Sequence, residues 1–174
     1  FAGETDFLLT GKKQELPVEE VNAVLYRGKS GVLALEGNDH YPYAVPMSYV
    51  YDGQKIYFHC AVTGHKLEAI ARNCKASFCI VDQDEIVPEE YTTYYRSVIV
   101  FGRIRILEDK QEKREAIEKL ARKYTPDGSD ADRAEEIERG WQRLCMLEMG
   151  IDHISGKEAK ELTLSGQGHT RPEP

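Results

Sequence analysis

Two strand-like runs flank the dipeptide Asp52-Gly53, and this arrangement constrains the fold more than any other feature of the chain. Residues 43–51 and 55–59 are rich in β-branched and aromatic side chains, and Asp-Gly supplies the backbone freedom of a tight hairpin between them. A third run, 31–35, precedes the first across the turn residues Gly37, Asn38 and Asp39. The result is a β-meander. Residues 76–81 read as a fourth strand. In 95–107, Arg103 and Arg105 alternate with Ile104 and Ile106, the pattern of a half-buried strand. Residues 145–151 complete a set of six.

Helices fall at the ends and corners. Residues 16–27 carry Pro17 in the first turn, with Glu19 and Glu20 after it. There Val18, Val21 and Leu25 share one face, and Gly28 stops the helix. Residues 66–72 form a short helix with Leu67, Ile70 and Ala71 inward, ended by Asn73. An amphipathic helix at 110–123 and a further helix at 130–140 are separated by a break at 126–129. The acidic stretch 82–93, with Pro88 inside it, reads as a loop. These elements predict an α+β protein built on an antiparallel barrel.

The chain has 174 residues, which suits one domain spanning 1–174, with no internal repeat or linker. Residues 1–12 and 165–174 are expected to be loose ends. The net charge of −7 repels phosphate backbones and anionic lipid, so nucleic-acid and membrane partners are disfavoured. No apolar run approaches the roughly 20 residues that cross a bilayer. The first ten residues lack the basic start of a signal peptide, and Phe1 leaves the native N-terminus open. Four cysteines are too few for a disulfide scaffold at this length, which predicts reduced thiols and a cytoplasmic setting.

Three stretches could carry chemistry. The strand ending in His59-Cys60 passes through 61–63 into Gly64-His65-Lys66, the start of the short helix. Unpaired N–H groups and the positive end of the helix dipole favour an anion there, and Lys66 and His65 add side-chain charge. Plain helix capping explains the same residues equally well. Val45-Pro46-Met47-Ser48-Tyr49 places a proline inside a strand, which marks an edge or bulge and frees backbone groups for a planar ligand. A simple barrel corner is the alternative. Tyr94, Tyr95, Arg96, Ser97 and Val98 could line a ring pocket or pack an interface. Serine-hydrolase, P-loop and zinc-protease motifs are absent, and Gly166-Gln167-Gly168 has no strand before it. His59, Cys60 and His65 lack metal-ligand spacing, so no metal is expected.

Taken in order, 31–35 (GVLAL), 41–49 (YPYAVPMSY), 56–66 (IYFHCAVTGHK), Arg72-Asn73 and 95–103 (YRSVIVFGR) resemble the pyridoxamine 5′-phosphate oxidase-like FMN-binding split-barrel proteins. The resemblance runs from about Lys13 to Lys157 and is strongest to the 5-nitroimidazole-resistance branch. It implies a six-stranded antiparallel split β-barrel with flanking helices, and a homodimer holding two FMN molecules at its interface. Met47, Ser48 and Tyr49, beside Pro46, would lie along the isoalloxazine ring. His59, Cys60, Gly64, His65 and Lys66 would surround the phosphate. Tyr95, Ser97 and Val98 would approach from the partner subunit. The arginine-rich C-terminal segment of the larger vitamin B6 oxidases is matched too weakly by Gln167-Gly168-His169-Thr170-Arg171 for the resemblance to imply pyridoxal phosphate as substrate.

The expected activity is FMN-dependent reduction or oxidation of a small molecule, such as a nitroaromatic or quinone, with NADH or NADPH as donor. His59 is the candidate acid or base. Two other readings stand beside it: a flavin-binding module without catalysis, and a haem-binding split barrel with His59 or His65 as axial ligand.

Overall fold

The computed structural model of the chain describes residues 14–165. Six strands are present: β1 (Ser30–Glu36), β2 (Pro42–Tyr51), β3 (Lys55–Ala61), β4 (Lys75–Val87), β5 (Thr92–Ile106) and β6 (Leu144–Glu158). They close into an antiparallel barrel in the order β1-β2-β3-β6-β5-β4. Five helices accompany them: α1 (Val18–Arg27), α2 (His65–Arg72), α3 (Lys110–Tyr124), α4 (Asp130–Gly140) and α5 (Lys160–Ser165). The ends expected to be loose lie outside the described residues, except that residue 165 closes α5.

Alternation along each strand sends one set of side chains into the barrel. Tyr49, Phe58 and Phe78 are fully buried there, with edge-to-face ring contacts of 5.0 Å from Phe78 to each of the other two. Leu33, Ile56, Val98, Val100, Leu147 and Met149 fill the space around them. α1 contributes Val21, Val24 and Leu25; Val18 points outward and is exposed, against expectation. The helix also starts two residues late. Leu16 donates its N–H to the Gly156 carbonyl, and Pro17 stands at the N-cap, where its missing N–H costs nothing. On α2 the buried pair is Ala69 and Ile70, Leu67 is half-buried, and Ala71 is exposed rather than inward.

α3 and α4 cover the outside of β2, β3 and β6 and enclose a second, smaller core. Ile117, Leu120 and Ile137 pack there on Val50, Tyr57 and Met146. The Asp109 side chain caps α3 by accepting from the N–H groups of Gln111 and Glu112 at 2.9 and 3.0 Å. Asp109→Ala should cost about 1 kcal/mol, read as a lower urea midpoint with an unchanged slope. An unchanged midpoint would show the cap to be dispensable.

Two expectations about strand length fail. Residues 82–93 are not a loop. β4 continues to Val87 and β5 begins at Thr92, so the two form a long ribbon that turns at Pro88–Glu90. A register shift between Val81 and Gln83 bends the ribbon at Asp82. There the Asp82 carboxylate meets Arg27 at 2.6 Å and Arg96 at 3.6 Å. Acidic residues therefore sit in a strand because arginines from α1 and β5 neutralise the one that turns inward, and Pro88 falls at the tip. Likewise β6 does not end at residue 151. It passes the polar Asp152-His153 pair, shifts register opposite Phe101 and Gly102, and continues to Glu158.

Candidate functional site

β2 and β3 pair at only three positions, Tyr49 with Phe58, Val50 with Tyr57 and Tyr51 with Ile56. Continued register would set Ser48 against His59, Met47 against Cys60 and Pro46 against Ala61. No such pairs form. Pro46, Met47 and Ser48 pair only with β1, and His59, Cys60 and Ala61 only with β6. The barrel is thus split between the start of β2 and the end of β3. Proline suits this place, because a strand edge without a partner has no use for the missing N–H.

Strand alternation divides the slot. Met47 and Cys60 face inward and form its floor; Met47 is buried and Cys60 half-buried. Pro46, Ser48, His59 and Ala61 lie on its outer rim. The Tyr49 ring is fully buried and its hydroxyl donates to the Leu25 carbonyl at 2.8 Å, so its side chain belongs to the core.

Three residues beyond β3, Gly64 caps the start of α2 with φ of 133°, a conformation that strains any residue with a Cβ. Leu67 is the first residue to donate back, to the Gly64 carbonyl at 3.0 Å. The N–H groups of His65 and Lys66 have no acceptor among the described residues. Lys66 makes no ion pair or hydrogen bond among those residues either, which leaves a cation at the helix start. The His65 ring packs edge-on against Tyr43 at 4.7 Å. His59 is held below the ordinary histidine range, first by partial withdrawal from water and then by the Lys66 charge, so it is neutral at pH 7.

Behind the β3 edge lies a cavity of about 900 Å³. His59, Cys60 and Ala61 form one wall, and Leu120, Tyr124 and Ile137 from α3 and α4 another. Tyr124 was not foreseen from the sequence. Its hydroxyl accepts from the Tyr49 N–H at 3.1 Å and donates to the Lys29 carbonyl, filling the place where the β1–β2 ladder runs out. Beside it, Lys123 donates to the Gly28 carbonyl and lies 4.1 Å above the Tyr49 ring. Burial pushes its pKa down to about 8.

The expected residues on β5 stand apart from the slot. β5 is three strands away from β2 in either direction around the barrel. Val98 is fully buried in its own core. Arg96 is engaged by Glu158 at 3.0 Å and by Glu20 at 3.4 Å. Tyr94 donates to Glu90, and the Tyr95 hydroxyl accepts from Gln14 at 3.4 Å. Among the described residues no cluster of three metal-ligating side chains occurs. All four cysteines are free thiols, and no helix among those residues is long and apolar enough to cross a membrane.

A closed antiparallel barrel of six strands, opened between β2 and β3 beside a cationic helix start, defines a split-barrel protein. The chain belongs to the pyridoxamine 5′-phosphate oxidase family, whose model matches residues 17–158. Comparison with curated proteins finds no match. Among solved structures the fold is shared with a candidate 5-nitroimidazole antibiotic resistance protein of Bacteroides thetaiotaomicron. That pair is 21% identical, with a TM-score of 0.70 over 83% of this chain and 86% of the other. The conserved hypothetical protein Rv2991 of Mycobacterium tuberculosis gives 18% identity and a TM-score of 0.75 over 96% of this chain and 98% of the other. An FAD- and haem-binding protein of Mycobacterium smegmatis gives 20% and 0.69 over 91% of this chain and 82% of the other.

Proposed function

We propose that this protein binds FMN in the slot and passes a hydride from NADH or NADPH to a small acceptor such as a nitroaromatic or a quinone. The observation that carries this reading is the meeting of two features. Two strand edges lack partners at Pro46–Ser48 and His59–Ala61, and a helix start with unpaired N–H groups and an uncommitted Lys66 lies one short loop away. The edges suit a flat ring with polar margins. The helix start suits a terminal phosphate.

Bound flavin would supply hydride acceptance and donation. The chain's own residues do the rest. The N–H groups of His65 and Lys66, with the Lys66 ammonium, hold the dianion. Pro46, Met47 and Ser48 set the plane of the ring, and the α3–α4 wall keeps water from one side of it. His59, neutral and on the slot rim, is the side chain placed to hold or move a proton.

The functional unit we propose is a homodimer. On the outer face of β2, β1, β4 and β5, two rows of side chains run across the strands: Pro46, Val32, Cys79, Ile99, and Ala44, Ala34, Ser77, Phe101. None is charged and none is buried. An uncharged sheet face of this size fits a second copy of the chain. It would also let Tyr95 and Ser97 approach the partner's flavin, whereas Val98 would have only its backbone to offer.

Titration of the apoprotein with FMN, riboflavin and FAD tests the site. FMN should bind most tightly. Equal affinity for riboflavin would remove the phosphate from the reading. Anaerobic mixing of the FMN-loaded protein with NADPH or NADH should bleach the flavin band within seconds to minutes; an unbleached band would leave a binding module. A haem reading draws on His59, a neutral imidazole on the wall of the 900 Å³ cavity, and on the M. smegmatis relative. A Soret band in the purified protein would favour it over flavin.

A further inference from the structure

Cys60 and Cys145 stand directly opposite each other on the antiparallel pair β3 and β6. Both face the barrel interior, Cys145 buried and Cys60 half-buried on the floor of the slot. Facing residues of an antiparallel pair have Cα atoms about 4.5–5.5 Å apart. A disulfide spans about 4.4–6.8 Å. The other cysteines are placed differently: Cys79 lies on the outer face of the barrel opposite Ile99, and Cys74 lies just before β4, 3.7 Å from Arg103. Cys60 lines the 900 Å³ cavity, which gives a small reagent a way in.

We propose that Cys60 and Cys145 form a reversible dithiol–disulfide pair that fastens the open end of β3 to β6. The oxidant is a small-molecule disulfide. The Cys60 thiolate attacks one of its sulfurs, making a mixed disulfide and releasing one small thiolate. Cys145 loses its proton, attacks the Cys60 sulfur and expels the second small thiolate. The two cysteines give up two electrons, the small disulfide takes them, and the two cysteine protons end on the two small thiols. Burial first, and the neighbouring Cys145 second, push the Cys60 thiol up to about 12, so the thiolate is scarce at neutral pH. Below that value the rate of exchange should rise about tenfold for each unit of increase in pH.

The test uses the whole purified protein with excess cystamine between pH 7.5 and 9.5, followed by intact-mass and peptide analysis. The expected product has lost two hydrogens, carries a cross-link between the peptides of Cys60 and Cys145, and returns to the starting mass with dithiothreitol. Cys145→Ser should trap the cystamine half as a stable adduct on Cys60, while Cys79→Ser should leave the cross-link unaffected. The peptide map of the unmutated protein stands even if Cys145→Ser fails to fold. A persistent adduct on Cys60 in the unmutated protein would overturn the proposal. So would a cross-link to Cys74 or Cys79, or no reaction short of unfolding.

Discussion

Lys66→Ala should weaken FMN binding about 10- to 100-fold and leave the fold intact. Charge-assisted hydrogen bonds are worth roughly 1.5–3 kcal/mol, and 1.4 kcal/mol is tenfold in affinity. Lys66 has no partner among the described residues, so its removal breaks nothing inside the protein. The loss should shrink at high salt, because Lys66 is only half-buried and screening weakens its pull on a phosphate. Riboflavin should bind the variant and the parent alike. The variant also lifts one of the two influences that hold the His59 imidazole neutral, so the His59 pKa should move up, visible in its ring-proton shifts. Unchanged FMN affinity would leave the phosphate to His65, His59 and the backbone.

The second large effect falls far from the slot. Gly102→Ala should destabilise the protein by about 3 kcal/mol, the upper end of ordinary overpacking. That corresponds to a fall in melting temperature of roughly 6–12 °C at this chain length. A Cβ at Gly102 would run into the carbonyl oxygen of Gly150 and come within 3.3 Å of the Ile151 Cα. These are backbone atoms of the neighbouring strand, at the register shift that lets β6 pass its polar pair, and they cannot turn aside as a side chain would. Gly140→Ala is the control, since a Cβ there meets nothing within 4 Å. Equal stability of the two variants would show that the ribbon yields at this point.

Much of the fold was legible because local chemistry and tertiary structure agree. Asp52-Gly53 turns where expected, and 130–140 is a helix with Ser129 as its cap. Pro46 signalled an edge, and the barrel opens there. The misses share a cause. Asp82 and Asp152 look like loop residues because a lone strand could not bury or satisfy them; each is met by an arginine from elsewhere, Arg27 for Asp82 and Arg103 at 3.8 Å for Asp152. Such partners are 55 and 49 residues away in the chain, beyond any local pattern. In the candidate site, the end proposed to hold a phosphate was readable as a helix start. The side of the strand that His59 occupies followed from alternation only once Phe58 was known to be inward. Tyr124 and Lys123 gave no signal, since the end of an amphipathic helix is commonly solvated.

The Tyr124 hydroxyl between Lys29 and Tyr49 bears on how the chain assembles. The α3–α4 excursion is inserted between β5 and β6, yet it supplies the group that ends the β1–β2 ladder some 75 residues earlier. The first hairpin therefore cannot complete its own hydrogen bonding while it is being made; it waits for a helix synthesised much later. A version of this protein with 108–143 replaced by a short turn would retain all six strands in sequence but strand the Tyr49 N–H at the mouth of the split. The excursion is thus a closing piece of the barrel as well as a wall of its cavity, and nascent chains ending before Tyr124 should leave the β1–β2 junction open to hydrogen exchange.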